Sequence, residues 1–413
     1  MADAIKVFAI PLEGVGIENN RTYYAQSSKP FLTINLEHTS QGLIQRSVKN
    51  SQHNRFVLGY ASFREKSVNL FYNPTSNTIE YSVDKIFKTT SIQNTTFVTR
   101  PYLQPYRSLF FNQHYFFFHR PFSGDSILLR FNPATDTFAT NPYTLPTSFE
   151  NKYFAAGKYA NRVWLSHASE PLLACSNVLA IQGNTTEFDL YGIGSNSPVV
   201  YIGSASFSQI GAFRTFLVFV QEDGTILVYE GFDPSSDFRL VFLFKLDGFI
   251  PKLTPVSIGS DIYVFSEYGC FSIASLLNSP SLDFLNLNIF KEAQPLYRFL
   301  IRHATNATYN FFDNTLRIFG TGSLDSQKPI FNIPNIAGSQ YSNFNFAPDG
   351  IFVLSFNFQT GAVSYAQYED IATHQATFDS QNLQLRLTFD ILTQMDDSNK
   401  LTNYLFHYLY EVG

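Results

Sequence analysis

Apolar and polar residues change places with a period of two along most of the chain. From Arg55 onward, short apolar runs follow one another: Phe56–Tyr60, Val68–Tyr72, Thr78–Val83, Leu109–Phe111, Tyr115–His119 and Ile127–Phe131. Period two is that of a half-buried strand. Lys158–Ser166 reads as one strand. Phe216–Gln221 and Thr225–Glu230 flank Glu222-Asp223-Gly224, an Asp-Gly hairpin turn. Further pairs are Ile262–Ser266 with Cys270–Ile273, Thr308–Phe312 with Thr315–Phe319, and Ile351–Asn357 with Ala362–Gln367. Leu383, Leu385, Leu387, Phe389 and Ile391 alternate with polar residues, and Tyr404–Val412 is rich in aromatics. No stretch predicts a helix of four turns. The best short candidate is Ile371–Thr377, and 277–300, broken at Pro295, fits neither period.

One corner recurs between these strands. It reads Tyr72-Asn73-Pro74-Thr75-Ser76-Asn77-Thr78-Ile79 and returns as Phe131-Asn132-Pro133-Ala134-Thr135-Asp136-Thr137-Phe138. A shorter form is Phe232-Asp233-Pro234-Ser235-Ser236-Asp237-Phe238, and a looser one runs from Phe356 through Gly361 to Val363. Pro presets φ for the second position of a turn, and Asn or Asp bonds back to its own backbone. Pro74, Pro133, Pro234 and Gly361 are therefore the expected structural turns. β-hairpins returning roughly every 50 to 60 residues are the signature of a propeller.

The expected fold is all-β, a β-propeller of repeated four-stranded antiparallel blades over 51–413. It is preceded by an N-terminal strand and extended arm over 1–50. Closing the circle hides the edges that so many strands would otherwise present. Pairing of a strand at Lys6–Ile10 with a C-terminal strand would supply that closure.

Composition sharpens this picture. The chain has 413 residues with 44 Phe and 24 Tyr against one Trp and two Met. Such a bias suits pleated, half-buried surfaces. Charged residues are only 15%, so the wet surface must be built from amides and hydroxyls. The net charge is −5 and basic residues are scattered singly, which excludes a phosphate-neutralising stripe. Cys175 and Cys270 sit in apolar contexts and read as buried, unbonded thiols of a chain made in the cytosol. The start lacks the regions of a signal peptide, and no apolar run approaches a membrane span.

Candidate chemistry is sparse. The eight His are dispersed, and His114 and His119, five apart on a strand, point to opposite faces. Ser166-His167 near Glu170 contains the residue types of a hydrolytic triad, but neighbours in sequence rarely assemble that geometry. Asp396-Asp397 reads as a solvated turn, and Gly320-Thr321-Gly322 lacks the rest of a dinucleotide fingerprint. No catalytic residue, metal site or cofactor is expected. The aromatic wealth admits a second reading, a carbohydrate- or host-receptor-binding propeller, and a capsid jelly roll is third.

Two segments carry a family resemblance. Asn35-Leu36-Glu37-His38-Thr39-Ser40-Gln41-Gly42-Leu43-Ile44-Gln45-Arg46 resembles the stretch before the first blade in the tail nozzle and packaged-DNA stabilisation proteins of short-tailed bacteriophages. Ile351 to Tyr365, with its Thr360-Gly361 turn, is similar to the late hairpin of that family, with Val363 where a Trp is usual. The resemblance implies a structural virion protein made in the host cytoplasm and built into the tail. Its copies would form a ring around the DNA exit channel, in contact with portal or adaptor and other tail proteins, with DNA passing through non-specifically. The arm residues Asn35, Leu36, Glu37, Gly42, Leu43 and Arg46 are the expected contact with a neighbouring subunit.

Overall fold

The computed structural model describes 107–119, 127–150, 152–209, 212–278, 284–310, 314–321 and 351–368, and elsewhere only the strands named below. β1 (Glu37–Thr39) and β2 (Gly42–Ile44) make a small hairpin, and β3 (Val48–His53) follows. The first blade is β4 (Phe56–Phe63), β5 (Lys66–Asn73), β6 (Thr78–Val83) and β7 (Ile86–Gln93). The second is β8 (Arg107–Phe111), β9 (His114–His119), β10 (Ile127–Asn132) and β11 (Thr137–Thr140). After the short β12 (Tyr143–Thr144) comes the third: β13 (Tyr153–Tyr159), β14 (Arg162–His167), β15 (Leu172–Ser176) and β16 (Gly183–Asp189). The fourth is β17 (Val199–Gln209), β18 (Ala212–Gln221), β19 (Thr225–Glu230) and β20 (Arg239–Lys245).

The fifth blade has three strands, β21 (Val256–Ile258), β22 (Asp261–Ser266) and β23 (Gly269–Ser272). Helices Ile273–Asn278, Phe284–Leu287 and Gln294–Ile301 follow, each against β23. In the sixth, β24 (Ala304–Asn310) and β25 (Thr315–Thr321) lead through a separate hairpin, β26 (Phe331–Ile333) with β27 (Phe344–Phe346). The blade is then completed by β28 (Ile351–Asn357) and β29 (Val363–Tyr368). The seventh is β30 (Ala372–Asp379), β31 (Gln384–Asp390), β32 (Leu405–Glu411) and, as its outermost strand, β3. Five of these sheets are four-stranded, and β12 adds a fifth strand to the third blade, parallel to β16.

The circle closes among the described strands. β4 lies beside β8, β8 beside β13, and β13 beside β17; β17 meets β22, β21 meets β24, β24 meets β30, and β30 returns to β4. The outer rim is locked separately, by β3 pairing antiparallel with β32 from Val48 opposite Tyr410 to His53 opposite Leu405. Lys6–Ile10 lies outside the described residues. Ile371–Thr377, expected as a short helix, falls largely on β30 and pairs with β31. Lys158–Ser166 is two strands, because Ala160 and Asn161 both turn left-handed at φ 49° and 56°.

Hydrophobic cores sit between blades, and this explains the unbroken apolar runs. On β18, Phe216, Val218 and Val220 face the fifth blade while Leu217 and Phe219 face the third. On β14, Val163 and Leu165 pack toward the second blade and Trp164 toward the fourth. A strand buried on both faces reads as continuous rather than alternating. Both cysteines are free and buried in such layers.

The inner strands approach closely at Gly157. A Cβ there would lie 2.4 Å from the Ile202 carbonyl oxygen and 2.7 Å from Ile202 Cβ. Gly157→Ala forces β13 and β17 apart and is expected to cost at least about 1–3 kcal/mol. A urea midpoint equal to wild type would refute that approach.

Candidate functional site

The antiparallel meander puts the turns joining first to second and third to fourth strands on one face of the ring. Three of the four recurring corners join third to fourth strands: Asn132 to Thr137, Asp233 to Phe238, and Asn357 to Val363. The earliest corner instead joins the second and third strands of its blade, β5 and β6. Pro74 itself lies outside the described residues.

The three share one device. The Asn or Asp side chain accepts the amide two residues on: Asn132 Oδ1 from Ala134 N at 3.0 Å, Asp233 Oδ1 from Ser235 N at 3.1 Å, and Asn357 Oδ1 from Gln359 N at 2.9 Å. Pro133 and Pro234 occupy the position between. An aromatic at each corner then reaches the preceding blade. Phe138 packs edge-on to Tyr81, Phe238 stacks on Trp164 at 5.5 Å, and Phe358 meets Tyr263. The corners therefore fasten blades together as well as reversing the chain. Gly361 closes the third at φ +68°, and a Cβ added to it would meet nothing within 4 Å. Gly361→Val thus meets only the backbone penalty, about 1–2 kcal/mol for left-handed geometry, and its melting curve should shift accordingly.

Around these corners the ring face holds out three apolar side chains that the sequence did not signal. Val178 and Leu179 stand at the tip between β15 and β16, and Phe232 opens the corner between β19 and β20. They are 54%, 55% and 72% exposed. Leu179 adopts φ 57°, a strained choice for a bulky residue that persists only where surroundings enforce it. Here they do: its N–H donates to Asn161 O at 2.7 Å and its carbonyl accepts from Asn112 Nδ2 at 2.9 Å. Arg162 ties the two corners, donating to Ser176 O at 2.9 Å and approaching Asp233 Oδ1 at 3.8 Å. That neighbour helps hold the Asp233 carboxyl below its ordinary range, behind the hydrogen bonds from Ser235.

Each of the triad-like residues is engaged by its own local structure. Ser166 Oγ accepts Ala155 N at 2.9 Å inside the sheet. His167 Nδ1 accepts Glu170 N at 2.9 Å and Ser169 N at 3.2 Å, and its ring meets Phe149 edge-on. Glu170 accepts from the Tyr191 hydroxyl. Burial, ahead of the opposing pull of Glu170, lowers the His167 pKa, and a proton on Nδ1 would face two donors. Its contribution to stability is thus present above the unfolded value of about 6.5 and is lost as pH falls through the folded value. His303 shifts the same way, again through burial. The urea midpoint is expected to fall below about pH 6.5, and His167→Asn, which keeps an acceptor, should flatten part of that fall.

His114 Nδ1 bonds Asn112 O at 2.8 Å, and among the described residues no cluster of His, Cys, Asp or Glu is arranged for a metal. Asp396 and Asp397 lie outside the described residues. Of the arm, Glu37, Gly42 and Leu43 lie on β1 and β2, with Glu37 opposite Ile44 and His38 opposite Leu43. The hairpin rests with β1 against β28 and β29 of its own chain. Asn35, Leu36 and Arg46 lie outside the described residues. No helix among the described residues is long and apolar enough to cross a membrane.

No family model matches the chain, and no curated protein matches it. Among solved structures, apo AztD from Citrobacter koseri is similar at 10% identity over 76% of this chain and 72% of that one, with a TM-score of 0.37. A structure of YCF48 bound to D1 peptide is similar at 9% identity over 75% of this chain and 96% of that one, with a TM-score of 0.36. The succession of antiparallel sheets around a closed circle makes the chain an all-β propeller.

Proposed function

We propose that the chain is a non-catalytic structural protein of a short-tailed bacteriophage tail. Copies of it would form a ring around the DNA exit channel, seated against portal or adaptor and other tail proteins. The observation that carries this reading is the set of exposed apolar side chains at Val178, Leu179 and Phe232, on corners that Arg162 joins. Apolar side chains are held out on corners whose backbones are pinned by Asn161, Asn112 and Asp237. Apolar groups gathered on one face of a polar surface favour a protein contact there over singly scattered ones, and a surface of amides and hydroxyls suits wet interfaces between subunits. A net charge of −5 agrees with a conduit that lets phosphates slide past, because salt-dependent hold on DNA comes from Lys and Arg neutralising them.

The sugar-binding alternative gains less from the geometry. Trp164, Phe219 and most aromatics around it are buried between blades, where they cannot stack on a glycan.

The test is location and form. Antibodies to the chain should label the tail end of purified phage particles, and the isolated protein should give hollow rings in negative stain. A chain absent from particles, or one that stays monomeric and binds a glycan array, would overturn the proposal.

A further inference from the structure

The seven blades protect their outer edges by different means, and among the described residues one edge is left open. β11 is only four residues long, and β16 (Gly-Asn-Thr-Thr-Glu-Phe-Asp) is polar and flanked by β12. Helices cover β23, and β1 lies against β29. β7 and β3 each carry a Lys inside the strand, at Lys88 and Lys49. All of these are recognised ways of blunting an edge. β20 reads Arg-Leu-Val-Phe-Leu-Phe-Lys, five apolar residues in a row, whereas its cations, Arg239 and Lys245, stand at its two ends. Among the described strands it pairs with β19 alone.

A bulge sharpens the contrast. The register slips between Val228 and Tyr229, so Tyr229 faces Leu240 while Leu227 faces Leu243. Leu227 and Tyr229 share a face, so Leu240 and Leu243 do too, and they remain 38% and 49% exposed. Phe242 and Phe244 turn the other way, into the layer shared with the fifth blade. An edge with this composition is a template for an added strand.

We infer that β20 receives the N-terminal segment of a second copy of this chain, paired as an additional strand. The choice of a second copy rests on the ring reading above; the strand addition itself does not depend on where the ring sits. Three features select the segment. β3 already completes the seventh blade, so the run Ile5–Ile10, apolar except for Lys6, is not needed for closure. Asp3 and Glu13 flank that run and Lys6 lies within it, so the side chains of 3–13 sum to one negative charge, whereas Arg214 and Arg239 share Glu230 at the start of β20 and leave one positive charge in surplus among these three groups. The 23 or so residues from Glu13 to β1 span up to about 75 Å when extended, enough to reach a neighbouring propeller. Two β20 edges pairing with each other antiparallel about Phe242 would instead set Arg239 opposite Lys245 at both ends, and like charges directly opposite are destabilising.

The experiment uses purified full-length protein, a variant lacking residues 1–13, and the edge variant Leu243→Glu, with Leu240→Glu as a second edge variant. Each is checked for an unchanged melting curve and sized by light scattering over a concentration series. The full chain should self-associate, and each variant alone should bind itself at least about thirtyfold more weakly. Mixing the truncated chain with Leu243→Glu should restore one-to-one pairs and nothing larger, since one supplies the edge and the other the strand. A full chain that is monomeric throughout would overturn the inference. So would a truncated chain that associates like the parent, which would mean edge-to-edge pairing, or a mixture that forms no pairs. Loss of phage labelling with these pairs intact would remove the tail assignment alone.

Discussion

A deletion through residue 53 is expected to unfold the ring or drive it to aggregate, whereas a deletion through residue 47 leaves a cooperative melt. The two differ by β3 alone, six residues whose ladder with β32 completes the seventh blade. Without β3, the strand Leu-Phe-His-Tyr-Leu-Tyr-Glu at Leu405–Glu411 becomes an unpaired edge rich in aromatics, the kind that pairs with other chains. The blade also loses the cross-connection that ties the chain's two ends together. A net worth of about 1 kcal/mol per hydrogen bond, with the associated packing, puts the loss on the order of 5 kcal/mol. Total stabilities are only about 5–15 kcal/mol, so this is a large share. Circular dichroism melts and size-exclusion profiles of the two deletions decide it. Equal midpoints would mean that the rim lock contributes nothing.

That strand also shows where sequence reading reaches its limit. Closure by an N-terminal strand is a topological need that follows from many strands and few helices, but which strand supplies it depends on long-range pairing. Val48–His53 is polar and unremarkable in sequence, and nothing local distinguishes it. Local chemistry was far more legible. Gly224 at φ +87° makes the Asp-Gly hairpin between β18 and β19, and Asp223 caps Thr225 N. Asn132, Asp233 and Asn357 close corners through their own side chains, as their residue types suggested. The phase of the repeat was not legible, because Asn73 carries the same composition at a different place in its blade.

Two misreadings have definite causes. The turn between β13 and β14 uses Ala160 in a left-handed conformation, which its residue type does not advertise, so two strands read as one. Pro295, which reads in sequence as a break in 277–300, sits in the first turn of the helix Gln294–Ile301, where its missing N–H is not needed. That helix buries Leu296, Tyr297 and Leu300 against the fifth and sixth blades and stands near the edge that a fourth strand would occupy. The exposed side chains at Val178, Leu179 and Phe232 had no signal at all. Their geometry comes from hydrogen bonds between loops of three different blades, and no single stretch of sequence encodes that meeting.

Trp164→Ala is expected to cost about 3–5 kcal/mol, and Trp164→Phe much less. The indole is fully buried between the third and fourth blades. It stacks on Phe238 at 5.5 Å and meets Phe219 and Phe188 edge-on at 5.7 and 5.9 Å. Truncation to Ala therefore removes the centre of an aromatic layer and leaves a cavity where two blades join. The indole N–H, however, has no hydrogen-bond partner among the described residues, and an unmet buried donor costs about 1–3 kcal/mol. Phe keeps most of the ring area and removes that donor, so the two effects offset and the variant should fall within about 1.5 kcal/mol of wild type. Urea unfolding followed by far-ultraviolet circular dichroism measures both, since tryptophan emission vanishes with the chain's one Trp. If Phe proves as damaging as Ala, the N–H must be satisfied in solution. The aromatic layer would then be holding a water or a carbonyl that stabilises the joint between blades.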